Sequence, residues 1–228
     1  NSLFQNCDLN IDRVISKPFV FGINFLKEKR DIKNFLIINL DNVLTSVSLY
    51  EDASLVFLKT FPFGTSSIYD DISQLCSLSK KDIELIIEEF NFLDDTKNNS
   101  SFIEKKFFKD SKFTKLSVKH LREIMNARIN EITDYIFNNN KNLKYLDNKI
   151  TKIFIFFENH NIHRNLSKLF ENSLNGSSRN IAIESLIRDD DYASHGAAEL
   201  LFKGWDKEAI PTTNKKKSMI SRFFSRFF

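Results

Sequence analysis

The sequence predicts a mixed α/β fold in two subdomains, with a separate amphipathic helix at the C-terminus. Three apolar stretches, at 35–40, 44–50 and 54–61, follow one another across short polar turns, as consecutive antiparallel strands do. Helical spacing then takes over, and a further apolar run with two more helical stretches completes the body. The last eleven residues, 218–228, carry an apolar stripe of their own behind a polar leader.

Alternation is clearest at 44–50, where Leu44, Ser46, Ser48 and Tyr50 interleave with Val47 and Leu49. Helical periodicity covers 67–78 and 80–90. The polar segment 94–101 reads as a loop, and 102–113 as one or two short strands. Ser117 is placed to N-cap a helix reaching about 138, whose stripe is Val118, Leu121, Met125, Ile129, Ile132 and Ile136. A strand at 152–157 follows, buried over 153–157, then a helix from about 162 to 173 and a small-residue helix at 192–202. The stretch 205–214, with Pro211, reads as a linker.

Composition narrows the class. With 42% hydrophobic and 28% charged residues, the 228-residue chain resembles soluble globular proteins. The formal charge is +3, and removing the five cations of 215–228 leaves −2. The body is therefore not basic, which argues against nucleic acid as a partner. Cys7 and Cys76 are isolated and suggest no disulfide framework, as expected of a reducing cytoplasm. No apolar run approaches the roughly 18 residues of a spanning helix. The chain begins at Asn1 rather than Met, so an upstream part is expected, and no signal peptide is visible.

The C-terminal stripe consists of Met219, Ile220, Phe223, Phe224, Phe227 and Phe228, which share one face of a helix. Ser221, Arg222, Ser225 and Arg226 hold the other face, and Lys215, Lys216 and Lys217 stand just before it. Fourteen residues thus carry five positive and no negative side chains, the pattern of a helix lying in an anionic membrane interface. A terminal helix docked on its own core needs the same stripe, but explains neither the one-signed charge nor the polar leader. Burying a Phe contributes about 1.5–3 kcal/mol, and a basic residue near anionic lipid about 1 kcal/mol. Helix ordering costs about 1–2 kcal/mol per residue. The balance is a weak, reversible anchor, firm only when many copies are linked. Self-association or a polymeric partner is therefore expected.

The order of these pieces resembles the C-terminal half of the FtsA family, the cell-division actin homologues that tether the division filament to the inner membrane. The strand pair LIINLDNVLTSVSLYED sits where that family has its second phosphate hairpin, Asp-Ile-Gly-Gly-Gly-Thr-Thr-Asp. FPFGTSSIYDDI matches Ile-Pro-Val-Gly-Gly-x-x-Ile-Thr-x-Asp-Ile at Pro62, Gly64, Ile68, Asp71 and Ile72. LREIMNARINEI matches the family's long-helix signature at Leu121, Ile124, Ala127, Arg128, Glu131 and Ile132. The resemblance implies an actin-like (ribonuclease H-like) core subdomain, 1–73 with 149–204, and a smaller α/β subdomain inserted at 74–148. A linker at 205–217 and the membrane-targeting helix 218–228 follow. It also implies a tethering role, with the FtsZ filament docking on 74–148 and the tail on anionic lipid, at the cytoplasmic face of the inner membrane and the division septum.

The departures bear on nucleotide binding. Phosphate loops need glycine so that backbone N–H groups can approach the phosphates. Here Asp41, Asn42 and Val43 hold the three glycine positions, Asn39 and Ser46 replace the flanking aspartates, and only Thr45 remains of the paired threonines. The family's adenosine-side Leu-Thr-Gly-Gly-Gly reads IFFEN, ending in Phe157, Glu158 and Asn159. In its Ala-Glu-x-x-Lys segment Glu84 is kept and Ile87 replaces the Lys. Thr45, Gly64 and Glu84 are the remnants of a nucleotide site. The expectation is a scaffold rather than an enzyme, with ATP binding disfavoured.

Other constellations have plainer readings. Glu158, His160 and His163 match no closed four-ligand zinc spacing and read as polar residues on a strand-to-helix loop. Asp189, Asp190 and Asp191 read as a solvated loop before a helix. Ser194 and His195, adjacent on a helix, face apart and have no orienting acid. The rivals to a tether are an actin-fold ATPase with rearranged phosphate loops, disfavoured by the missing glycines, and an actin-like scaffold of the pilus-assembly PilM kind. The PilM family resembles the core but lacks such a tail.

Overall fold

The computed structural model describes residues 6–7, 11, 13–89, 92, 101–138, 152–157, 160–175, 182–187, 191–203 and 210–211. Helix α1 (Lys17–Glu28) opens the body, followed by the antiparallel strands β1 (Phe35–Leu40), β2 (Thr45–Glu51) and β3 (Ser54–Phe61). Helices α2 (Ser66–Cys76) and α3 (Lys80–Glu89), a 3₁₀ turn at Lys105–Phe107 and the long α4 (Val118–Phe137) come next. Strand β4 (Lys152–Phe157), α5 (His160–Asn175), β5 (Ala182–Ile187) and α6 (Tyr192–Phe202) complete it. Two residues, Ile210–Pro211, pair antiparallel with Arg13–Val14. The main sheet has the order β3-β2-β1-β4-β5, with β4 parallel to both β1 and β5.

Strand alternation explains the layering. On β1 and β4, Leu36, Ile38, Leu40, Ile153, Ile155 and Phe157 point to one face and pack with α2, α3, α4 and α5. Phe35, Ile37, Phe154 and Phe156 point to the other, with Phe25 of α1 and Tyr192 of α6. A strand buried on both faces reads as a continuous apolar run, as 35–40 and 153–157 do. Helix α1 comes very close to the sheet: a Cβ on Gly22 would lie 1.7 Å from the Tyr50 hydroxyl oxygen. The β2–β3 turn puts Asp52 and Ala53 at φ 49° and 63°, held by Asp52 N–H donating to Asn34 Oδ1 at 2.8 Å.

Ser117 caps α4 as expected, its Oγ accepting from His120 N–H at 3.2 Å. The segment 102–113 departs from expectation: it makes a 3₁₀ turn and one isolated bridge, Phe102 with Ser117, instead of strands. The reason is Asp82. This carboxylate is 1% exposed and accepts from the backbone N–H groups of Lys109 (3.0 Å), Asp110 (3.2 Å) and Ser111 (2.8 Å). Those amides fold around a side chain and are lost to any ladder. Burial alone would raise the Asp82 carboxyl, but the bonds from Ser111, Asp110 and Lys109 outweigh it and hold it below the usual range.

A depressed carboxyl contributes stability that is complete above its unfolded value, roughly pH 4, and is lost as the pH falls through the folded value. Asp82→Asn keeps one acceptor oxygen and turns the other into a donor facing the N–H of Lys109 or of Ser111, and should cost about 1–3 kcal/mol in chemical denaturation at neutral pH. Hydrogen exchange at Lys109–Ser111 should rise in the variant. In the native chain those amides should lose protection on acidification below about pH 4. Unchanged stability would show that the loop is held by something else.

Candidate functional site: the β1–β2 hairpin tip

Two of the three residues expected to remain from a nucleotide site, Thr45 and Gly64, meet where β1 turns into β2. Asp41, in the first glycine position, donates its N–H to Leu44 O at 3.0 Å and closes the turn. Its carboxylate accepts from Asn39 Nδ2 at 2.9 Å and pairs with Lys17 Nζ at 3.2 Å. Asn39 is 2% exposed. The hairpin tip therefore holds an anion supplied by the chain, clasped by an amide from β1 and a cation from α1. Val43 and Leu44 stand exposed beside it.

Thr45 and Gly64 belong to the same assembly. Thr45 is fully buried, and its hydroxyl donates to Phe63 O at 2.7 Å, an internal bond. Gly64 lies under the turn: a Cβ there would fall 2.3 Å from Asp41 O and 2.5 Å from Asn42 O. This contact brings the first turn of α2 onto the hairpin. Thr65 N–H donates to Asp41 O at 3.1 Å and Ser66 N–H to Asn42 O at 2.8 Å. Ser67 and Ile68 donate to Gly64 O and Thr65 O. A helix N-terminus normally offers its first amides to an anion. Here all four have carbonyl partners within the protein.

Glu84 lies on α3 and faces elsewhere. Burial, with Glu84 and then Glu88 adding to it, pushes the Tyr69 phenol up to about 12. Among the described residues, no interaction joins Glu84 to the hairpin. Phe157 is buried at the end of β4, with its ring against Phe170 at 5.9 Å; Glu158 and Asn159 lie outside the described residues. So do Asp189, Asp190, the side chains of His160 and His163, and the tail residues Met219, Ile220, Arg222, Phe223, Phe224, Arg226, Phe227 and Phe228. Ser194 and His195 are both exposed on α6.

Two participants escaped the sequence reading. Lys17 lies on a helix assigned to no element there, although Ser16-Lys17-Pro18 places a proline in a first helical turn, a usable start signal. Arg128 was matched as a signature position without a role. It grips Asp71 of α2 with two nitrogens, at 2.5 and 2.6 Å, and Glu131 with a third at 2.6 Å. The bond to Asp71 raises the Arg128 guanidinium above its usual value. Three matched positions thus form one clamp between α2 and α4.

No protein-family model and no curated protein matches the sequence. Solved structures match the fold. The ethanolamine utilization protein EutJ from Carboxydothermus hydrogenoformans is 10% identical with a TM-score of 0.54, over 86% of this chain and 57% of EutJ. MreB5 of Spiroplasma citri, bound to AMPPNP or to ADP, is 14% identical in each case, with TM-scores of 0.53 and 0.52. Both matches cover 82% of this chain, and 60% and 59% of MreB5 respectively. The chain therefore has an actin-like α/β fold, and spans about three-fifths of the length of these neighbours.

Gly64→Ala should destabilise the protein by about 1–3 kcal/mol through overpacking, because the atoms met are backbone carbonyls that carry α2. Thermal unfolding monitored by circular dichroism would measure it. A neutral effect would mean that the α2 start is not locked to the hairpin.

Proposed function

We propose that this chain belongs to an actin-fold scaffold that links the FtsZ filament to the cytoplasmic face of the inner membrane and works without a nucleotide cycle. The scaffold half is supported by the hairpin tip, which the resemblance aligns with a phosphate hairpin: it carries an internal carboxylate paired with Lys17, and the first amides of α2 are bonded to its carbonyls. MreB5 is nucleotide-bound on the same fold, so the fold allows binding and it is the local chemistry that opposes it. The tether half rests on the stripe and cations of 215–228. FtsZ as the filament rests on the ordered resemblance, including the Asp71, Arg128 and Glu131 positions, with docking assigned to 74–148. A PilM-type scaffold would share the core without the tail.

Removing 218–228 should release the protein from anionic liposomes into the supernatant on sedimentation, and salt should weaken binding of the intact chain without abolishing it. Unchanged pelleting would sink the tether. Recruitment should rise steeply with polymerised FtsZ, since linked weak anchors add through effective concentration. Phe223→Glu with Phe227→Glu should abolish membrane co-localisation of filaments while leaving FtsZ binding in solution intact. Loss of FtsZ binding in that variant would make the tail part of the fold.

Calorimetric titration of the longest natural form of the protein with Mg-ATP should show no saturation up to low millimolar ligand. A dissociation constant below about 100 µM, roughly −5.5 kcal/mol, would overturn the reading of the tip.

A further inference from the structure

A groove of about 630 Å³ opens between the end of β3 and the second half of α4, lined by Lys59, Phe61, Phe63, Arg128, Ile132 and Tyr135 among others. Its rings form a continuous apolar wall: Phe61 meets Phe63 at 5.3 Å, and Phe63 meets Tyr135 at 5.8 Å. Tyr135 is 46% exposed. The Arg128 charge at the rim is already bound by Asp71 and Glu131. Such a wall suits an apolar helix face with an aromatic stripe, and the chain carries one in 218–228.

Reach favours that occupant over a foreign one. Pro211 pairs with Arg13, four residues before Lys17, whose ammonium holds Asp41 at the hairpin tip. Asp41 O is bonded to Thr65 N–H, two residues from Phe63. The last described residue is thus connected, through a short segment and the Lys17–Asp41 pair, to the hairpin beside which β3 ends. The segment 212–217 spans about 20–25 Å extended, and an eleven-residue helix adds about 16 Å, a reach of the order of the domain's width.

The geometry points to an intrachain parking site: away from membrane, the Phe stripe of 218–228 docks in the Phe61–Phe63–Tyr135 groove and leaves it for anionic lipid. This rests on the tether reading above. Parking lowers the fraction of tails free to bind lipid, and the apparent vesicle affinity with it.

The test uses the full chain with Cys7→Ser, Lys59→Cys and Ser225→Cys, and a short bis-maleimide cross-linker. Cys76 is buried. An intrachain product in solution that disappears on adding phosphatidylglycerol vesicles is expected. No intrachain product, with tail-dependent pelleting retained, overturns parking and leaves the tether standing. An intrachain product unaffected by vesicles, with no tail-dependent pelleting, keeps the docking and sinks the tether. A product only between chains places the tail on a second copy and overturns the proposal. As a second readout, Tyr135→Ser should tighten vesicle binding of the chain about fivefold to tenfold by freeing parked tail; unchanged or weaker binding by a folded variant counts against parking.

Discussion

All six residues of β1 are buried, and most of the architecture follows from that. A strand sealed on both faces needs partners along both edges and cover above and below. The edges go to β2, antiparallel, and β4, parallel. The cover comes from helices on both sides of the hairpin in sequence, because β2 and β3 are committed to the sheet. On the Phe35–Ile37 face, α1 from the start of the body and α6 from its end meet over a layer of rings. Phe25 lies 4.9 Å from Phe35 and 4.4 Å from Phe154, and Phe21 lies 5.4 Å from Tyr192. Two glycines permit the approach, Gly22 against Tyr50 and Gly196 against Val20 of α1.

The opposite face is closed by α2, α3, α4 and α5 in a single apolar cluster. Apolar burial fixes how much surface is covered, but it is non-directional and leaves the angle between α2 and α4 open. The Arg128 clamp supplies direction. Its side chain is 29% exposed and that of Asp71 24%, so desolvation is partial and the pair adds modestly to stability. A two-nitrogen grip tolerates little rotation of one helix against the other, so its main contribution is alignment. Signature positions can therefore mark a geometric requirement of the fold as readily as a ligand contact.

The sequence showed those elements whose pattern is dictated by burial. Strands β1, β3 and β4 and the Ser117-capped α4 stand close to their expected bounds, because two-sided burial and a cap leave strong local signatures. Strand β5 was missed: AIESLI mixes Glu184 and Ser185 into an edge strand whose polar side chains find Lys29 and Glu171. Helix α1 was missed because KPFVFGINFLKE is apolar on most sides, as a helix pressed onto a sheet can be. The loop around Asp82 could not be read, since a buried carboxylate gathering amides from 27 to 29 positions away leaves no local trace. Thr45 and Gly64 were placed together from resemblance. That their polar groups are turned inward is a property of the packing alone.

At the hairpin tip two kinds of obstacle to a phosphate coexist, and they differ in strength. The Asp41 carboxylate repels a polyphosphate, but a unit charge at 4 Å costs only about 1 kcal/mol in water and about 4 kcal/mol near a protein surface. Lys17 offsets part of it, and with side chains 47% and 23% exposed this pair can open and turn toward solvent. Charge alone would then be a weak barrier. The amides of Thr65 and Ser66 are another matter, since they hold the carbonyls of Asp41 and Asn42 while Gly64 presses the same carbonyls from beneath. Freeing them means lifting the first turn of α2 from the hairpin, which leaves two carbonyls unpaired and disturbs the helix that Arg128 aligns. Backbone bonding thus fixes α2 to the hairpin more firmly than the exposed Asp41–Lys17 pair fixes α1.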